Sequence, residues 1–508
     1  MKTRKKYMSY LLLGGILLFG SCTLEEDPPF LTSETIYSNP DNAIGALNGV
    51  YHAWADWGTF RYFFPKLLNY NSGFYVSTEG GGPSNNNAVN SSMASLKPLE
   101  GDFTLNIVWN GHYNAIARAN DVIEGVNSQG SNDETIQDIL GQAYFIRAYS
   151  YFNLVQLWGD VPLRLVPVDT ETLYLGKEDS KVILEQIISD SKSAIQNMNG
   201  MMGAGYPRQY AANMLLAKVY MYLATNTELQ TNSENYWQLA YNEATEVYGN
   251  YSLVADYADL FDGRTNENTQ ESIFEIQFNS TIKSDLFRDW SIANYGEFPG
   301  WMQLRVNPEV YDRHLEAYPT DNQRLESTFL TSYDNTFGGT STFYPDHNGS
   351  DRSQSWNTSF PLPFKTSLKD KTQTNNISQR NTIVYRYADL LLMLAEISNE
   401  LQNGEQLSYV TEVLDRVGIT PSSLYSGGQD AFREAIMAEY NYELLTEGHD
   451  WFNNRRRGYQ WFKNHVIDPH NNYVNRNENF DVTHDIDEST VMHLPIPAAE
   501  VGANPEID

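Results

Sequence analysis

The chain has 508 residues, and 64 acidic against 34 basic side chains give it a formal net charge of −30. That balance excludes a nucleic-acid binder working by phosphate neutralisation, which needs a basic surface. A single Cys excludes a disulfide framework, a Cys-rich zinc site and an iron–sulfur cluster, while 41% hydrophobic residues over this length suffice to bury a large core.

At the start, Lys2, Arg4, Lys5 and Lys6 precede an apolar run from Leu11 to Phe19, followed by Gly20, Ser21 and Cys22. Cations, a short apolar stretch and small residues are the layout of a secretory signal, and the run is well short of the roughly 20 residues that span a bilayer. Residues 1–21 are therefore read as a signal peptide. With Cys22 where the small residues end, it resembles a bacterial lipoprotein signal, in which that thiol is lipidated and becomes the new N-terminus. Removing it takes away four cations and no acid, which moves the charge from −30 to −34. Glu25, Glu26, Asp27, Pro28 and Pro29 make 22–32 an acidic tether that stays solvated. Acids directly after such a Cys resemble the surface-export signal of Bacteroidetes lipoproteins.

Beyond the tether, residues 33–508 read as one large helical domain. Helices are predicted over 40–56, 104–127, 138–158, 180–198, 234–248, 407–417 and 429–447. Within 138–158, Gly141, Phe145, Ala148, Phe152 and Val155 recur at steps of four and three, and the small members leave room for a close neighbour. Ala212, Leu216, Val219 and Leu223 form a second stripe after Pro207, and Tyr387, Leu390, Leu394, Ile397 and Leu401 a third. Neighbouring pairs with short connections read as helical hairpins, without a fixed repeat period.

Two regions break the pattern and are expected to be loop insertions. Residues 71–100 contain Gly80-Gly81-Gly82-Pro83 and Asn85-Asn86-Asn87, and 279–365 are rich in Asn, Ser, Thr, Gly and Pro with scattered aromatics. Long loops inside a compact domain are usually functional.

The stretch GQAYFIRAYSYFNLVQLWGDVPL (141–163) resembles the most recognisable segment of the SusD/RagB family of Bacteroidetes surface lipoproteins. Physically, Gly159 can cap the helix there and Pro162 forbids its continuation. Tyr206-Pro207-Arg208 with AANMLLAKVYMYLA, YSLVADYADLF (251–261), ESIFEIQF (271–278), YRYADLLLMLAEISNE (385–400), AIMAEYNYELLTEGHDWFNNRRRG (435–458) and LPIPAAEVGANPEID (494–508) follow in the family's order. The resemblance implies a mainly all-α fold, an irregular tetratricopeptide-like helix-pair scaffold with loop insertions carrying the ligand site. It also implies a non-enzymatic outer-membrane lipoprotein that binds oligosaccharides or polysaccharides and delivers them to a SusC-type TonB-dependent transporter. A peptide ligand, as in the RagB branch, and a surface-anchored helical glycoside hydrolase or lyase are the alternatives.

A sugar site needs exposed aromatic faces with amide, carboxylate or guanidinium partners for the hydroxyls. In the second insertion the candidates are Trp290, Tyr295, Trp301, Tyr344 and Trp356; in the early segments they are Trp57, Tyr75, Asn86 and Asn87. Trp109, Trp158, Trp237 and Trp451 lie in or beside predicted helices and are read as packing residues. Arg455, Arg456 and Arg457 are read as internally paired. There is no nucleophile elbow, zincin motif, P-loop or Rossmann fingerprint, the nine His are dispersed, and no cofactor or metal is expected. Asp346 to Asp351 lacks the closing Glu of an EF-hand and is read as a solvated turn. The acidic charge leads us to expect a neutral glycan over a polyanionic one.

Overall fold

The computed structural model describes residues 33–77, 92–170, 172–262, 267–285, 290–346, 360–375, 377–476 and 483–507. Its scaffold is a run of helices: α1 (Pro40–Trp54), α2 (Phe63–Tyr70), α3 (Phe103–Gln129), α4 (Glu134–Trp158), α5 (Ser180–Asn197), α6 (Gln209–Thr225) and α7 (Tyr236–Val247). After the loop-rich middle come α8 (Pro308–Ala317), α9 (Asn322–Thr328), α10 (Tyr387–Leu401), α11 (Gln406–Arg416), α12 (Gln429–Leu444) and α13 (Asp450–Arg455). Contacts run α3 to α4, α4 to α5, α5 to α6, α6 to α7, then α7 to α10 and α10 to both α11 and α12. Short connections make such neighbours hairpins, so the scaffold is the mainly α, helix-pair architecture expected from the periodicity. Caps set the boundaries: the side chains of Asp102, Asp133, Asp179 and Asn235 accept backbone N–H bonds at the starts of α3, α4, α5 and α7. Asp133 is why α4 begins four residues before the stripe predicts. Gly159 ends it at φ +75°, a conformation that costs other residues a Cβ clash.

The main core runs from Tyr37 to Leu494. Trp54 sits inside it against Phe60, Phe145, Tyr149 and Phe274 at ring separations of 6.0, 5.8, 5.0 and 5.9 Å. Trp109, Trp158 and Trp451 are buried and Trp237 packs on the core's edge, as packing residues should. Gly141 lets α4 and the end of α5 touch: a Cβ there would lie 2.7 Å from the Met198 nitrogen and 2.9 Å from the Asn197 carbonyl carbon. Backbone cannot retreat as a side chain can. Gly141→Ala is therefore expected to lower stability by about 1–3 kcal/mol, despite the roughly 1 kcal/mol of helix propensity alanine would add. A urea midpoint unchanged or raised would contradict this.

The insertions carry more order than their composition suggests. Residues 71–100 contain β1 (Tyr75–Ser77), which pairs antiparallel with β3 (Leu304–Val306). The second insertion holds α8, α9 and the short strands β4 (Phe329–Leu330), β5 (Ser332–Asp334), β6 (Thr340–Thr342) and β7 (Leu362–Pro363). Elsewhere, β2 (Ser272–Ile276) pairs with β8 (Thr382–Arg386). The start signals of α8 and α9 are local: Pro308 opens α8 and the Asp321 side chain caps α9. α2 has almost no polar face to give it a period, because nearly every residue in it is buried.

Beneath the second insertion lies a buried charge network. Glu443 on α12 receives Arg324 of α9 at 3.3 Å, Arg386 of β8 at 2.6 Å and Arg416 of α11. Arg386 also reaches Glu271 at 2.9 Å and Glu447 at 2.7 Å, and Lys365 reaches Glu447 at 3.0 Å. The three arginines near 455 are likewise internal. Arg456 and Arg457 pair with Glu396, while Arg455 lies 4.3 Å over Trp451 and 4.2 Å over Phe462 and donates to backbone carbonyls.

Candidate functional site

The β1–β3 pairing sets the first insertion beside residues 291–303, where a closed loop forms. The Met302 N–H donates to the Ser291 carbonyl at 2.8 Å, and Glu297 N–H to the Lys371 carbonyl at 2.8 Å. Gly300 turns the loop at φ +54°, with the Ile292 carbonyl filling the space that a Cβ would need. The β5–β6 hairpin leans on this loop: Thr336 N–H donates to the Asn294 carbonyl at 2.9 Å and the Tyr333 hydroxyl to the Ala293 carbonyl at 2.6 Å. Between them Ile292, Tyr333, Phe343 and Leu362 form a separate small core. Tyr295 packs edge-on to Tyr333 at 5.6 Å and Phe364 at 6.0 Å.

This support leaves aromatic surface facing outward. Trp301 is 48% exposed and Phe337, at the hairpin tip, 83% exposed. Tyr295 is half-buried, with the Lys371 ammonium 4.5 Å from its ring centre. Rings with apolar faces, hydroxyl and amine edges and backbone polar groups can stack on and hydrogen-bond a polyol; nothing in this set is a nucleophile paired with a base. Among the described residues, no group of three or more His, Cys, Asp or Glu is placed to hold a metal ion.

The remaining sequence candidates do not join this platform. Trp57 is half-buried, with the Arg61 guanidinium 5.2 Å over its ring, and Arg61 pairs with Asp285 at 2.5 Å. Tyr344 is half-buried and its hydroxyl donates to Asp312 at 2.7 Å. Burial and that carboxylate raise its pKa, so it stays a neutral donor spent on α8. Tyr75 is 1% exposed in β1, a strand buried on both faces, and its ring belongs to the main core. Trp290, 3% exposed, is packed in the main core instead of displayed at the surface. Both lie in segments whose Gly- and Asn-rich composition predicts display, but Tyr75 follows Ser72 and Phe74, which are themselves buried. Cys22, Asn86, Asn87, Trp356 and residues 347–351 lie outside the described residues; Asp346 is exposed. Phe337 and Lys371 were missed. Gly338-Gly339 between two short polar runs was the hairpin signal for the first, while nothing local marks the second.

The comparisons with known proteins agree on one kinship. A sequence model described as the SusD family matches residues 215–508, and one described as starch-binding associating with outer membrane matches residues 71–221. SusD-like protein P25 of Formosa agariphila is 26% identical over 519 residues, covering 95% of this chain and 93% of that protein. The crystal structure of a SusD homologue from Bacteroides thetaiotaomicron superposes with a TM-score of 0.76 at 20% identity, covering 94% of this chain and 97% of the other. A laminarin-binding SusD-like protein superposes with a TM-score of 0.69 at 23% identity, covering 92% and 98%.

Proposed function

The chain belongs to the SusD family, and from that premise we propose that it captures glycans at the outer-membrane surface and delivers them to a SusC-type TonB-dependent transporter. It does so without cleaving them. Lipidation at Cys22 anchors it, the acidic tether spaces it from the lipid, and residues 33–508 act as one domain. The observation that carries the reading is Trp301, half exposed on a loop that its own small core holds still. A preformed aromatic face loses little conformational freedom on binding, so its contact energy appears as affinity. Kinship with a laminarin-binding SusD-like protein supports the ligand class. A mature charge of −34 favours neutral glycans, since long-range repulsion opposes polyanions.

Calorimetry against a panel of neutral and anionic polysaccharides tests this. At least one neutral glycan is expected to bind, and Trp301→Ala to weaken it about tenfold or more, the scale of a buried aromatic anchor. Silence across the panel, or release of reducing ends or unsaturated products by the purified protein, would sink the reading.

A further inference from the structure

We infer that an open cleft on the helical scaffold is a second glycan site, taking a short stretch of neutral sugar. The inference rests on the glycan reading above for its ligand class, but the cleft shares no residue with the loop platform. It lies between the 200–208 loop and β2 and holds about 380 Å³. That is more than twice the roughly 150 Å³ that takes one benzene, and it falls within the range of small-molecule sites. Tyr206, Arg208, Tyr251, Asn268, Glu275 and Gln277 stand on its wall.

Both rings on this wall are set before any ligand arrives. Tyr206 packs across Tyr51 at 5.6 Å, and its hydroxyl donates to the Asn48 side chain. Tyr251 packs across Tyr210 at 5.8 Å, whose own hydroxyl donates to Asn250 at 3.0 Å. Each is half-buried, and a ring so fixed loses little freedom when the C–H face of a sugar stacks on it.

The polar groups around them are within reach of solvent. Arg208 is exposed, and among the described residues neither its guanidinium nor the Tyr251 hydroxyl makes a hydrogen bond or an ion pair. The Arg208 Nε lies 3.5 Å from where a Gly200 Cβ would stand, so the side chain folds back over the glycine loop. Its rigid fork of donors suits two neighbouring hydroxyl oxygens. Asn268 and Gln277 form a reciprocal amide pair at 3.0 and 2.9 Å, which leaves one amide proton of the exposed Asn268 for a ligand. Charge decides between ligand classes. Arg208 is the cation on this wall and Glu275 the carboxylate. Glu275 is held in place, accepting the Asn268 N–H at 3.0 Å and the Asn381 side-chain amide at 2.9 Å. A cation would meet Arg208, and an anion would meet Glu275 and the net charge of −30. Hydroxyls, which donate and accept, serve both signs.

The Trp301→Ala protein hosts the test, so that platform binding does not mask the cleft. Calorimetry and crystal soaks use D-glucose, maltose, cellobiose and laminaribiose, with D-glucuronate and D-glucosamine as charged counterparts. At least one neutral sugar is expected to bind, with density in the cleft beside Arg208 and an affinity at least tenfold above that of either charged sugar. Adding Arg208→Met, or Tyr251→Phe, which keeps the ring and deletes the hydroxyl, should weaken that sugar about tenfold. Unchanged affinity in both double variants, tighter binding of a charged sugar, or density only outside the cleft overturns the inference. If the unsubstituted protein binds a neutral polysaccharide while the Trp301→Ala protein binds none of these sugars, the inference falls and the surface reading stands. If neither protein binds any glycan, both fall.

Discussion

Replacing Glu443 by glutamine is expected to lower stability by about 3–5 kcal/mol, the penalty for removing one member of a buried ion pair. The residue is fully buried and three guanidiniums converge on it. A glutamine side chain would keep the volume and remove the charge, and its amide N–H groups would point at donors. The surviving arginines would then face Glu271, Glu439 and Glu447 with one balancing charge fewer. Because α9, α11, α12 and β8 meet at this carboxylate, the damage spreads to the whole C-terminal half. Glu434→Gln is the control: it alters a contact with the His465 ring nitrogen in which the glutamate side chain is 53% exposed, where the expected loss is only about 0–1 kcal/mol. Urea unfolding at pH 7 measures both. Equal losses from the two variants would mean that the network is not the clamp its geometry indicates.

Acidification from pH 6.5 to 4.5 is expected to cost about 2–4 kcal/mol, before most carboxylates titrate. Burial lowers the pKa of His112 to about 3 and of His449 to about 4, and it also lowers those of His314 and His484. In the unfolded chain these imidazoles take protons near pH 6.5. Below that pH the unfolded state binds more protons than the native one, so stability rises with pH and falls as pH drops toward the folded values. Asp450 and Asp102 oppose this, since burial raises their pKa and the native state protonates them first. Below about pH 4.5 the sign is again destabilising. Glu396 and Glu447, held down to about 2 by Arg456 and Arg386 once burial is overcome, lose their contribution between the unfolded value and that figure. His112 isolates the effect: both ring nitrogens are buried with no partner among the described residues, and the ring stands edge-on to Phe64 at 4.8 Å. His112→Leu should flatten the pH dependence by about 1.4 kcal/mol per pH unit between pH 6 and 4.5. Parallel curves for the two proteins would refute the assignment.

Helices were legible because their stripes are local. The stripe of Tyr387 to Leu401 coincides with α10, and the one around Leu216 lies within α6. α2 was illegible because burial on all sides erases periodicity. Of the sugar-site candidates, Trp301 and Tyr295 fall on one supported surface, whereas Trp57, Tyr75, Trp290 and Tyr344 do not join it. Composition marks where a chain leaves its helices, but it carries no information on which side of a loop a ring faces. The charge network shows the same limit. Glu439, Glu443 and Glu447 stand at steps of four and could have been read as one face. Their partners Arg324, Arg386 and Arg416 are dispersed through the chain.

By itself, then, the order of residues determined the helical stripes and the stop at Gly159, because each depends on neighbours within one or two turns. Its collinear motifs likewise carried the family kinship. Tertiary structure alone decided which rings meet solvent and where the buried charges balance. Those outcomes depend on segments hundreds of residues apart, held together by a core whose packing no single stretch encodes.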